Sequence, residues 1–189
     1  GIKGGKQDQY AAAFGGFNMI TFHKDDTVSV EPIITKLETL NTLQENLIMF
    51  YTGYTHDTKT ILAEQKKNIS QNGKAKNLIR MCKLAKEMKL ALEQNNLSSF
   101  GDILNEGWMH KRELASGVSN PDINKMYEIA MANGATGGKL LGAGGGGFLL
   151  FYCENYKQKH LEEALGLKKF NFRFEYDGTS VVHIGDKYL

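Results

Sequence analysis

The apolar positions of this chain fall into two kinds of pattern, short continuous blocks and stripes recurring every three or four residues. Leu47–Tyr51 and Phe148–Cys153 are compact apolar blocks, which predict buried strands. Between them lie helical stretches. Residues 57–69 predict one helix, and in residues 74–94 the positions Ala75, Leu78, Cys82, Ala85, Met88 and Leu92 repeat at helical spacing. Phe100, Ile103, Leu104, Trp108 and Leu114 mark the next helix. Asn120-Pro121-Asp122 is a helix start with proline at the first helical position; Ile123, Met126, Tyr127 and Ala130 form that helix's stripe, and Gly134 stops it. A further helix is expected over Tyr156–Leu165.

The two ends of the chain read as strands and turns. Residues 8–14 predict a short helix with Asp8 as its N-cap, ended by Gly15-Gly16. Phe17–Phe22 and Thr27–Val30 read as strands joined by the polar turn His23–Asp26, with Pro32 closing the unit. Near the other end Phe170, Phe172, Phe174 and Tyr176 alternate with Asn171, Arg173 and Glu175, which predicts a half-buried strand. Asp177-Gly178 is a hairpin signal leading into Val181–Ile184. From residue 44 the order is strand, helices, strand, glycine turn, strand, helix, strand, strand. That order fits an α+β fold of the ferredoxin-like split β-α-β type, enlarged by extra helices.

The segment joining two of these strands, Gly142-Ala143-Gly144-Gly145-Gly146-Gly147, holds five glycines in six residues. Each glycine inside a regular element costs roughly 0.5–1 kcal/mol relative to alanine, so the run implies a bend needing positive φ or close backbone approach. Bare N–H groups converging on a phosphate are the usual functional reason; a glycine hairpin without ligand is the plain alternative. A dinucleotide fingerprint does not fit, because a strand rather than a helix follows and Leu167 stands where an acid would be expected. The P-loop pattern fails as well, since Gly138-Lys139 is followed by Leu140.

Composition narrows the class. The 189 residues are 41% hydrophobic and 23% charged, as in ordinary globular proteins. A net charge of +2 gives no overall field for nucleic acid, and no apolar run is long enough to suggest a membrane partner. Cys82 and Cys153 form no C-x-x-C pair, which suggests buried free thiols and a cytoplasmic setting. His23, His56, His110, His160 and His183 lack ligand spacing, so no metal site built by this chain is expected.

Taken together, Gly5-Lys6-Gln7-Asp8-Gln9-Tyr10-Ala11-Ala12-Ala13-Phe14-Gly15-Gly16 and Lys139-Leu140-Leu141 with the glycine run closely resemble two motifs of the GHMP small-molecule kinases. Tyr51-Thr52-Gly53, Glu64-Gln65, Gly107-Trp108, Lys111-Arg112 and Gly137-Gly138 are similar to the bacterial branch that phosphorylates D-glycero-D-manno-heptose 7-phosphate at its anomeric hydroxyl. Related fucose and galactose kinases share both main motifs. The resemblance implies a two-lobed fold with ATP and sugar between the lobes. It implies that residues 1–35 are the tail of the N-terminal lobe, carrying the aspartate motif, and residues 36–189 the C-terminal lobe. The family's serine-containing phosphate loop, which also holds magnesium, is not in this sequence. The implied partner is therefore the missing N-terminal lobe of the same kinase, and the fragment alone is expected to be inactive.

By that resemblance Asp8 is the base accepting the proton of the attacking hydroxyl; from the residues alone the helix cap is the favoured reading. Gly142, Gly144, Gly145, Gly146 and Gly147 are expected on the nucleotide side. Gly5, Lys6, Thr52, Gly53, Lys111 and Arg112 are expected to contact a sugar or sugar-phosphate substrate. Lys6 is near enough in sequence to influence Asp8, and Lys139 faces either phosphate or solvent. His56 stands where that branch leads one to expect arginine. The alternative from a different class is a non-catalytic ferredoxin-like module that binds a phosphate metabolite or a protein partner.

Overall fold

The computed structural model describes residues 5–55, 58–71 and 73–181. They divide into two compact units, one built from residues up to Ile33 together with those from Arg173 onward, the other from Ile34–Phe172.

In the larger unit four strands make one antiparallel sheet. They are β3 (Leu47–Tyr51), β4 (Ala135–Leu140), β5 (Phe148–Cys153) and β6 (Lys169–Phe170), in the spatial order β4-β5-β3-β6. With α7 (Asn155–Leu165) between β5 and β6, and helices between β3 and β4, this is the ferredoxin-like strand order expected from the sequence. β3 and β5 coincide with the two apolar blocks, and Ile48, Phe50, Leu149, Phe151 and Cys153 enter the core. The core is completed by Trp108 from α5 (Phe100–Arg112), by Ile123, Tyr127 and Ala130 from α6 (Pro121–Ala132), and by Leu161 from α7. The start of α6 forms as its residues dictate: the Asn120 side chain accepts from the Ile123 N–H at 2.9 Å, and Pro121 follows it.

α5 lies directly against β4. An added Cβ on Gly137 would stand 1.8 Å from the Gly101 carbonyl oxygen, so backbone touches backbone there. The remaining elements are α2 (Leu37–Asn46), α3 (Thr58–Gln71), α4 (Ala75–Glu93) and a 3₁₀ turn at Ser116–Val118. Arg80 of α4 ties that helix to α5, donating to Glu106 at 2.8 Å and to Glu87 at 2.6 Å.

Several sequence expectations change. The buried side of α4 carries Asn77, Leu84, Ala91 and Leu92; of the expected stripe Leu92 is buried, Leu78 and Met88 are half-buried, and Ala75, Cys82 and Ala85 are exposed. Cys82 is consequently exposed, and only Cys153 is a buried thiol. The alternating segment from Phe170 forms a ladder only at Lys169–Phe170; its aromatics instead anchor locally, Phe170 against Tyr51 and Phe148, with ring centroids 6.3 and 5.0 Å apart. Of the expected Val181–Ile184 strand only Val181 is described, and it is not in a strand; residues 182–184 lie outside the described residues.

The smaller unit holds α1 (Gln7–Phe14) and the hairpin of β1 (Asn18–Phe22) with β2 (Val28–Pro32). Residues 173–181 pack into this unit. The Thr179 N–H donates to the Ala13 carbonyl at 3.1 Å, the Gly16 N–H to that of Glu175 at 2.8 Å, and Phe174 meets Phe17 edge-on at 4.7 Å. Gly178 is therefore a close-approach glycine rather than a hairpin turn: a Cβ there would lie 2.1 Å from the Ala13 oxygen.

Candidate functional site

In the larger unit the site is the glycine loop between β4 and β5 and what holds it. Gly142, Gly144, Gly145 and Gly147 all have positive φ. At Gly144 (φ 119°) a Cβ would meet the Val118 backbone at 2.7 Å, and at Gly146 one would meet the Tyr54 oxygen at 2.5 Å. Neither position has room for a side chain, which is why this bend is written in glycine.

Three segments distant in sequence fix the loop. The Gly145 N–H donates to Val118 at 2.9 Å and the Gly147 N–H to the Tyr54 carbonyl at 2.8 Å. Thr52, only 2% exposed, donates from both its backbone N–H (2.9 Å) and its hydroxyl (3.0 Å) to the Gly147 carbonyl. The same hydroxyl accepts from the Tyr54 N–H at 3.3 Å. Thr52, expected at the substrate, thus has its one side-chain donor engaged inside the protein and positions the loop instead. Gly53 beside it is exposed, with φ 80° and open space around it. Gln65 donates to the Ala143 carbonyl at 3.1 Å. Its neighbour Glu64 accepts from both the N–H and the hydroxyl of Ser116 at 2.9 Å, and those two bonds lower its pKa. Spacing alone gave Glu64 and Gln65 no role, because their partners are 52 and 78 residues away.

The expectation of bare N–H groups holds for part of the loop. Among the described residues, nothing accepts from the N–H groups of Gly142, Ala143, Gly144 or Gly146, whereas those of Gly145 and Gly147 serve as internal ties. Unpaired amides on a rigid bend are suited to phosphate oxygens. The donor set therefore fits a nucleotide phosphate. Among the described residues no group of His, Cys, Asp or Glu is placed to hold a metal ion.

Lys111 and Arg112, adjacent on α5, face different surroundings because successive helix positions are about 100° apart. The Lys111 ammonium donates to the Gly142 carbonyl. Burial, followed by the neighbouring charge of Lys139, pushes the Lys111 pKa down to about 8, and burial also lowers that of Lys139. Arg112 instead lines a polar cavity of about 390 Å³ with Glu113, Ser116, Ser119 and Asn124. The two side chains line different cavities.

In the smaller unit Lys6, not Asp8, is the N-cap of α1. Asp8 lies in the first helical turn, exposed, where its negative charge complements the helix dipole. Its carboxylate has neither a hydrogen bond nor an ion pair among the described residues, so the helix-cap reading is corrected. Lys6 pairs with Asp26 at 3.5 Å rather than with Asp8. Gly5 and Lys6 line a cavity of about 360 Å³ with Phe22, His23, Asp26 and Thr27. His56 lies outside the described residues.

Residues 88–170 match the family described as GHMP kinases, C terminal. The chain carries a GHMP kinase C-terminal domain. The matched span includes α5, α6, β4, the glycine loop, β5 and α7, whereas the ties from Thr52, Tyr54 and Gln65 lie outside it. Over 165 residues the chain is 34% identical to the D-glycero-alpha-D-manno-heptose 7-phosphate kinase of Campylobacter jejuni, covering 87% of this chain and 49% of that protein. Among solved structures it is similar to a D-glycero-D-manno-heptose 1-phosphate kinase from Bacteroides thetaiotaomicron, with 29% identity and a TM-score of 0.68 over 94% of this chain and 48% of that one. A putative sugar kinase from Campylobacter jejuni superposes with a TM-score of 0.67 at 33% identity, over 94% of this chain and 51% of that one. The chain thus spans about half the length of these relatives. Among the described residues no helix is long and apolar enough to cross a membrane.

Proposed function

We propose that this chain is part of an ATP-dependent sugar kinase that transfers the γ-phosphoryl group to a sugar hydroxyl, the anomeric hydroxyl of D-glycero-D-manno-heptose 7-phosphate. The observation that carries the reading is the glycine loop. Its bend is clamped from Thr52, Tyr54, Gln65 and Val118, and its remaining amides have no partner among the described residues. Phosphoryl transfer depends mainly on positioning and charge stabilisation, which a rigid loop of this kind supplies. The heptose assignment rests on the Campylobacter jejuni relative.

In this reading ATP supplies the phosphoryl group and magnesium is held by residues beyond this span. Asp8 accepts the hydroxyl proton, a role open to a carboxylate without a partner among the described residues. The loop amides at Gly142, Gly144 and Gly146 face phosphate oxygens, while Gly145 and Gly147 keep the bend. Gly5, Lys6, Gly53, Lys111 and Arg112 contribute to binding the sugar phosphate, and Thr52 acts through the loop. Because the chain covers about half of its relatives, we propose that it does not turn over alone and acts in the cytoplasm within the larger kinase.

The test is a coupled ADP-release assay on the full-length protein with heptose 7-phosphate, fucose and galactose as acceptors. Heptose 7-phosphate is expected to give the highest kcat/KM. Asp8→Asn is expected to lower kcat by about 10²–10⁴ while ATP binding stays near wild type. Full turnover in Asp8→Asn would refute the assignment of the base, and preference for another acceptor would refute the substrate.

A further inference from the structure

Between α4 and α5 runs a groove of about 200 Å³ whose walls are apolar: Met81, Leu84 and Met88 from one helix, Ile103, Leu104 and Trp108 from the other. Lys111 and Lys139 also line it, and no carboxylate does. Neither lysine forms an ion pair among the described residues, and the Gly142 carbonyl is the only acceptor found there for either ammonium. Two cations close enough to oppose one another, half withdrawn from water, are costly unless an anion joins them. A second orphan lies in the same wall. The Trp108 indole N–H is buried and has no partner among the described residues.

We propose that this groove binds a phosphate monoester with a short apolar body, the dianionic head between Lys111 and Lys139 and the tail along Leu84, Met88 and Leu104. A dianion matches two adjacent ammonium groups by charge-assisted hydrogen bonds, and the apolar walls reward a tail that a sugar does not have. The groove lies wholly in the larger unit and shares Lys111 with the proposed sugar-phosphate contacts, but its apolar walls and Lys139 belong to no part of that reading, and direct titration with an alkyl phosphate tests it without turnover.

Trp108 is the chain's one tryptophan, so occupancy is read directly from its emission. The probe is hexyl phosphate, titrated against the whole chain beside its two halves, inorganic phosphate and hexanol. A saturable change with hexyl phosphate is expected, at least ten-fold tighter than either half and weakened at least ten-fold by 0.5 M salt (roughly a 4 Å Debye length). Lys111→Met and Lys139→Met are each expected to weaken binding ten-fold, and Lys139→Arg to retain it. Circular dichroism checks that the variants stay folded, and the salt dependence of the unmodified chain supplies the test if they do not. Absence of a saturable signal overturns the proposal. So does equal binding of inorganic phosphate, which would mean a simple anion site, equal binding of hexanol, which would mean a plain apolar groove, or insensitivity to salt.

Discussion

Replacing Gly137 with alanine puts the packing of α5 on β4 to a quantitative test. The new methyl carbon would sit 1.8 Å from the Gly101 carbonyl oxygen, 2.6 Å from its carbon and 3.0 Å from the Asn105 nitrogen. All three are backbone atoms, so no rotamer change relieves the contact, and helix and strand must separate by more than an ångström. Overpacking in a core usually costs about 1–3 kcal/mol, and with backbone on both sides the expected loss lies near the top, about 3 kcal/mol. For a protein of this size that corresponds to a fall in Tm of roughly 6–12 °C. Gly107→Ala on the same helix is the matched control. Its Cβ would meet only the Leu84 Cδ1 at 3.9 Å, so helix propensity dominates and a gain of about 0.5–1 kcal/mol is expected. Both are read by urea and thermal denaturation followed through Trp108, which sits in α5 itself. A Gly137→Ala variant within 1 kcal/mol (about 1.7 RT, small on the scale of mutational effects) of the parent, or one no worse than Gly107→Ala, would refute the close-packing argument.

Thr52→Val removes the hydroxyl that joins Gly147 to Tyr54 and should cost about 1–3 kcal/mol in urea denaturation; an unchanged midpoint would show the tether to be idle. Lys111 binds its proton less tightly folded than unfolded, so its penalty is full below pH 8 and is relieved as pH rises from about 8 towards the ordinary lysine value of 10.5. Lys111→Met should therefore gain most over the parent near pH 7.5 and lose that advantage by pH 10, whereas a constant difference would contradict it. A thiol reagent should modify Cys82 at once and Cys153 only on unfolding, as its burial and raised pKa require; two fast thiols would contradict the fold.

The parts legible in the sequence were those decided locally. β3 and β5 are continuous apolar runs between helices and turns, and they form over the residues that the runs mark. The Asn120-Pro121 start of α6 needed no distant partner. α4 was placed correctly along the chain, but of its expected stripe only Leu92 is fully buried. Asn77 is buried through its bond to Glu113 at 2.8 Å, which no count of apolar residues could reveal. The alternation from Phe170 was real, yet its aromatics met partners one by one instead of forming a ladder. At the site the glycine run announced itself, while its ties did not. Thr52 and Gln65 reach it across 95 and 78 residues, and Lys111 across 31.

The smaller unit is discontinuous: residues up to Ile33 and those from Arg173 onward are separated by the whole of the larger unit. Within this span α1 and its hairpin are made before the larger unit, but the strip that covers Ala13 and Phe17 is made only after the α4–α5 pair and the four-stranded sheet. The segment from Arg173 thus completes a unit begun before the larger one, and a ribosome stalled before residue 173 would hold a chain whose sheet and helices can close while α1 stays uncovered.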